Sequence, residues 1–201
     1  MKRFFRFIVQ SLPLLTIVGI IFWFSRNSSS SITPLITNSQ SLPQSEEWEV
    51  VSVHDGDTMK VKRGFEEKKI RFCGIDAVEK QQKLGSSATS YLRSLISKGD
   101  GTVLVTPIEK DRYGRTVAEL FVLPRPGTPG YQPEEEIFLN GEMVRAGFAR
   151  HYLRYSSRCP NKEVIEKSEA IARASHAGFW NDPNAIAPWD YRKLKRQNSG
   201  N

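Results

Sequence analysis

From Phe7 to Phe24 the chain carries no charge and is apolar on every side, whereas Ser25 to Ser45 is rich in Ser, Asn, Gln and Pro with no apolar period. The first run is as long as a short membrane-spanning helix. The second cannot bury enough surface to offset the entropy of ordering it. A different pattern begins near Trp48. Glu49–His54 alternates apolar and polar positions, Asp55-Gly56-Asp57 interrupts it as a turn, and Thr58–Lys62 resumes it, which predicts a hairpin. Lys68–Ile75 predicts a third strand, and Gly101–Pro107 and Thr116–Leu123 two more around a turn at Asp111–Arg115. In Ser86–Lys98, Tyr91, Leu92, Leu95 and Ile96 recur at helical spacing before Gly99, predicting an amphipathic helix. Ile137–Leu139 reads as a short extended piece, and Gly141–Phe148 and Glu163–Ala177 as helices. Five strands interrupted by a helix, with helices at the end, predict an α+β domain built on a small barrel, an OB-type barrel being one candidate.

This pattern divides the chain into an apolar segment over residues 1–26, a linker over 27–46, a folded domain over 47–185 and a basic tail over 186–201. Charge changes the picture mainly at the start. Of a net +7, the first 45 residues hold Lys2, Arg3, Arg6 and Arg26 and no acid, which leaves +3 for the rest. Gross basicity is therefore weak evidence for a nucleic-acid partner. The positive flank before residues 7–24 is expected to stay in the cytosol, with the folded domain exported. An uncleaved membrane anchor is favoured, because Trp23-Phe24-Ser25-Arg26 offers no small-residue cleavage site. A signal peptide, leaving a secreted domain, is the alternative. With 201 residues and 2 cysteines, the chain is neither a disulfide-dense mini-protein nor a four-thiolate zinc protein.

Three short stretches carry candidate chemistry: His54-Asp55-Gly56-Asp57-Thr58, Arg71-Phe72-Cys73-Gly74-Ile75-Asp76-Ala77-Val78-Glu79 and Asp111-Arg112-Tyr113-Gly114-Arg115. Each falls at a strand end or turn, with Gly56 and Gly114 expected to make the turns tight. Paired carboxylates need a cation or a proton between them, and an oxygen-only donor set suits a hard ion such as Ca²⁺. Arginine forks bind phosphate bidentately and keep their charge. Together these residues suit metal-assisted phosphoryl transfer. Singly, each stretch reads as well as an ordinary turn, and their co-occurrence carries the argument.

As a set these stretches resemble the thermonuclease family, the staphylococcal-nuclease-like domain, over roughly Glu49 to Trp180. Asp55–Thr58, Arg71–Glu79, Asp111–Arg115, Leu139–Gly147 and the late Ser168-Glu169-Ala170 and Gly178-Phe179-Trp180 carry the likeness. The resemblance implies a five-stranded OB-type barrel with about three helices. It also implies Ca²⁺-dependent hydrolysis of DNA and RNA with low sequence specificity, single-stranded or flexible regions being favoured and 3′-phosphate ends left. Position by position, Asp57 and Asp76 match the calcium carboxylates, with the backbone carbonyl of Ala77 beside them. Glu79 matches the general base, Arg71 and Arg115 the pair that grips the scissile phosphate. Arg112 and Tyr113 are placed against the bound nucleotide. A monomer is expected.

One departure stands out: the family's usual D-T-P-E is Asp76-Ala77-Val78-Glu79 here. Without the fixed φ of proline the loop carrying Glu79 is expected to be less preorganised, lowering rate or metal affinity. A tethered, non-catalytic binding module of the same fold is the alternative function, and an envelope protein binding Ca²⁺ for stability a further one. His54, His151 and His176 lack metal-ligand spacing and are expected to be structural or superficial. Phe72, Tyr152, Tyr155 and Phe179 are expected in the core or at its rim. Cys73 and Cys159 fit either a disulfide or a buried apolar Cys73 with a separate Cys159. Arg192, Lys193, Lys195 and Arg196 could meet nucleic acid or anionic lipid, and a solvated, frayed end is the favoured expectation.

Overall fold

The computed structural model describes residues 44–128 and 136–200. The apolar segment at 7–24 and nearly all of the linker lie outside them. Among the described residues no helix is long and apolar enough to cross a membrane.

Five strands close into a barrel: β1 (Glu46–Val53), β2 (Thr58–Arg63), β3 (Glu66–Phe72), β5 (Thr102–Lys110) and β6 (Thr116–Val122). The sheet order is β3-β2-β1-β5-β6, and β3 also pairs with β6 in parallel through Ile70–Phe72 and Thr116–Ala118, which seals the cylinder. A two-residue strand, β7 (Ile137–Phe138), pairs antiparallel with the end of β6. A separate ribbon joins β4 (Ile75–Ala77) to β8 (Ala149–His151). The α-helices are α1 (Gly85–Ser97), α2 (Leu139–Arg145), α3 (Lys162–Ala174) and α4 (Pro188–Asn198), so the described residues hold four rather than about three.

The alternation read from the sequence faces the barrel interior with Trp48, Met59, Val61, Ile70, Phe72, Val103, Val105, Leu120 and Val122, all buried. Leu92 and Leu95 of α1, Met143 and Val144 of α2 and Ile165 of α3 continue the same core. Trp48 is buried beneath Arg63 and Lys68, whose cations lie 4.5 and 4.2 Å from its ring centre.

The expected strand Lys68–Ile75 is two strands. Gly74 at φ 71° turns the chain out of the barrel, so Ile75–Ala77 pairs with β8 instead. Its position is crowded as well, since an added Cβ would meet the Cys159 sulfur at 3.0 Å. Cys73 and Cys159 form a disulfide, which decides between the two open alternatives. Just beside it, the buried Asn140 side chain accepts the Leu120 N–H and donates to the Cys73 carbonyl at 3.0 and 2.9 Å. The end of β3 is thereby pinned to β6, α2 and the start of α3.

The tail departs from expectation. Residues 188–198 form α4 rather than a frayed end. Pro188 at the first turn has no N–H to waste there, and Asp190 suits the positive helix start.

Candidate active site

The β1–β2 turn carries Asp57, 6% exposed. Its backbone is held at both ends: its N–H donates to Asp55 Oδ1 at 3.1 Å and its carbonyl accepts the Phe72 N–H at 2.9 Å. The side chain accepts the Ala77 N–H at 2.6 Å and the Thr58 hydroxyl at 3.1 Å. Gly56 is needed for a close approach to β4, because a Cβ there would lie 2.7 Å from that of Ala77.

Arg71, at the end of β3, pairs with Asp57 and donates to Asp76 Oδ1 at 2.9 Å and to the Ile75 carbonyl at 3.0 Å. Burial pulls its guanidinium below the usual value, opposed by Asp76 and Asp55, while Arg115 and Arg192 add to the lowering. Asp76 on β4 is fully buried. One guanidinium thus bridges two carboxylates, one from the β1–β2 turn and one from β4.

Glu79 stands two residues past β4. Its N–H donates to Gln82 Oε1 at 2.8 Å, and the Gln82 N–H returns a bond to the Glu79 carbonyl at 2.9 Å. Val78 is buried and its N–H donates to the Phe148 carbonyl at 3.0 Å.

At the β5–β6 turn, Asp111 Oδ1 accepts the N–H groups of Tyr113 and Arg115 at 2.9 and 3.0 Å, and Oδ2 accepts Arg115 Nε at 2.7 Å. Burial pushes the Asp111 carboxyl up, and the bonds from Arg115 and Tyr113 more than offset it, leaving it below the usual range. Gly114 closes this turn at φ 76°. Tyr113, 67% exposed, lies beneath Arg112 and Arg115 at 4.8 and 5.5 Å.

Asp57, Arg71, Asp76, Ala77, Glu79, Arg112, Tyr113 and Arg115 all line one cleft of about 830 Å³. None of the three histidines does: His54 follows β1, His151 is buried on β8 and His176 is exposed after α3. Phe72 and Phe179 are core, whereas Tyr152 and the exposed Tyr155 form the rim of the cleft.

The cleft also holds groups that sequence reasoning did not assign to it. Arg192 of α4 donates to both oxygens of Asp76, at 3.0 and 2.7 Å, and to Glu79 Oε1 at 2.5 Å. Burial lowers its affinity for its proton, but Asp76 and Glu79 more than offset this and raise it above the ordinary value. Trp189 stacks on Tyr152, with ring centres 5.1 Å apart. The Trp189, Arg192 and Arg196 spacing behind Pro188 is a helical face, and that was the available signal.

Among the described residues no three His, Cys, Asp or Glu side chains form a ready cation cage. The donor set nevertheless suits a hard cation. Asp57 and Asp76 offer only oxygen, and both already share one positive group in Arg71.

The staphylococcal nuclease homologue family matches residues 69–182. Protein ParB of Escherichia coli is 34% identical over 145 residues, covering 72% of this chain and 78% of that protein. A micrococcal nuclease of Shigella flexneri is 35% identical over 148 residues, covering 74% and 81%. An uncharacterized endonuclease of Escherichia coli O157:H7 is 35% identical over 146 residues, covering 73% and 84%.

Proposed function

The chain belongs to the staphylococcal nuclease family, and from that premise we propose that it is a Ca²⁺-dependent endonuclease hydrolysing phosphodiester bonds in DNA and RNA with little regard to sequence. The observation that carries this reading is the convergence of Asp57, Arg71, Asp76, Glu79 and Arg115 on one cleft from segments far apart in the chain.

Asp57, Asp76 and the Ala77 carbonyl would hold Ca²⁺, which when bound supplies a positive charge that polarises the phosphate. Glu79 takes the proton of the attacking water. Its place on a loop tied by Gln82 and Val78 holds it over the cleft. Arg71 and Arg115 grip the scissile phosphate and offset the charge that builds on its oxygens. Arg115 reaches it pre-aligned by Asp111. Arg112 and Tyr113 flank the neighbouring nucleotide, with Tyr113 exposed enough for a base to lie on its ring. Loss of the 5′-oxygen leaves a 3′-phosphate end. Backbone contacts of this kind carry no sequence information, in keeping with low specificity.

We also infer that the domain works outside the cytosol, anchored through residues 7–24. The Cys73–Cys159 disulfide supports this, because such bonds persist in oxidising compartments.

The test is cleavage of single-stranded DNA and RNA by the full chain in Ca²⁺ and in chelator, beside Glu79→Gln. Calcium-dependent cleavage lost in the variant is expected. Binding without cleavage at every calcium level would replace this reading with that of a non-catalytic binding module.

A further inference from the structure

In the arrangement described above the carboxylates of Glu79 and Asp76 are already occupied. Glu79 Oε1 holds Arg192 at 2.5 Å, and both oxygens of Asp76 hold the same guanidinium. Asp76 Oδ1 already takes Arg71, so Arg192 is a second positive group on oxygens that a divalent cation would need, and it competes with that cation.

Arg192 is not there by a loose fit. Pro188 is buried, and Trp189 stacks on Tyr152 at an interplanar angle of 12°. Gln82 donates to the Ile186 carbonyl at 2.7 Å just before α4, while its Oε1 accepts the Glu79 N–H. One side chain thereby ties the Glu79 loop to the segment that delivers Arg192. The helix itself lies beyond residues 69–182, the part matched by the family.

The Arg192 side chain remains 35% exposed and faces the cleft that also holds Arg71 and Arg115. A short swing would take its fork from the carboxylates to a phosphate in that cleft, an exchange of one bidentate anion for another.

We propose that Arg192 is a built-in counter-ion, a latch on α4 that closes the acid cluster until a divalent cation and a nucleic-acid phosphate draw it away. This rests on the metal-dependent reading of the site given above. Without metal, Arg71 and Arg192 offset two of the three charges of Asp57, Asp76 and Glu79. With metal and substrate, Arg192 leaves Glu79 Oε1 open to the attacking water and adds a third arginine to the phosphate.

Calorimetric titration of Ca²⁺ into the metal-free full chain tests the latch without reference to turnover. Arg192→Ala, shown to be folded by circular dichroism, is expected to bind Ca²⁺ about tenfold more tightly than the wild type, because the closed state no longer competes. Arg196→Ala removes the same charge one turn further along α4 without touching the acids, and is expected to stay within about twofold. Unchanged or weaker binding by Arg192→Ala overturns the latch and leaves calcium binding standing, as does an equal gain in Arg196→Ala. If neither the wild type nor Arg192→Ala binds Ca²⁺, the metal-dependent reading itself falls, and the latch with it. Should Arg192→Ala unfold, Arg192→Lys serves: it keeps the charge but cannot fork, so a smaller gain is expected and no gain overturns the proposal.

Discussion

Asp111 shows how one side chain sets the working position of another. Its two oxygens take three N–H groups, so Arg115 is aimed before any substrate arrives. Asp111→Asn keeps the shape and loses the charge, and is expected to lower kcat/KM about ten- to a hundredfold through misplacement of Arg115. Steady-state cleavage beside Arg115→Ala checks this, since the positioning variant should be the milder. Glu79→Gln is expected to cut kcat about 10²- to 10⁴-fold with KM little changed, the size of a lost general base. His151 contributes to acid sensitivity away from the cleft. Burial holds the His151 imidazole below its usual value, against the pull of Glu169 and Glu166, and its buried Nε2 has no hydrogen-bond partner among the described residues. The unfolded chain therefore takes up this proton first as the pH falls. Stability is full above the unfolded value of about 6.5 and declines below it until the folded value is reached. Thermal melts from pH 7 to 5 should show that decline, and His151→Gln should flatten it.

At the scale of elements, the loop from Asp76 to Glu79 reverses an expectation. The sequence lacks the family's proline there, which argues for a looser loop. The structure holds Val78 by burial and by its N–H bond to Phe148. Val78→Pro is therefore expected to cost about 1–3 kcal/mol rather than to improve the site, because the Phe148 carbonyl loses its donor. Denaturant melts read the loss, and an unchanged midpoint would mean the bond contributes nothing. Strands and helices with strong periods were legible almost to the residue: α1 was expected at 86–98 and is Gly85–Ser97. The break between β3 and β4 was not, because Arg71 to Ile75 alternates well enough for one strand and only the disulfide and β8 show where Gly74 must turn. Nor was α4, whose low apolar content hides a helix that packs chiefly through Trp189 and two charged contacts.

For the molecule as a whole, the disulfide closes a loop of 86 residues between the end of β3 and the start of α3. Replacing Cys73 and Cys159 by serine is expected to cost about 2–5 kcal/mol, read by urea unfolding beside the oxidised wild type. Because Cys73 follows Arg71 by two residues, the variant should also lose cleavage activity at temperatures where it remains folded. The amino-acid sequence by itself determined the barrel, through the alternation of β1, β2, β5 and β6. Its motifs also singled out Asp57, Arg71, Asp76, Glu79 and Arg115, which line the cleft, because each stands in or beside a strand end or turn that a short local pattern marks. Only the tertiary structure decided the pairing of Cys73 with Cys159 and the seat of Arg192 on Asp76 and Glu79. Those contacts join residues 86 to 116 positions apart. No local pattern encodes such distances; they follow from where the closed barrel leaves its neighbours.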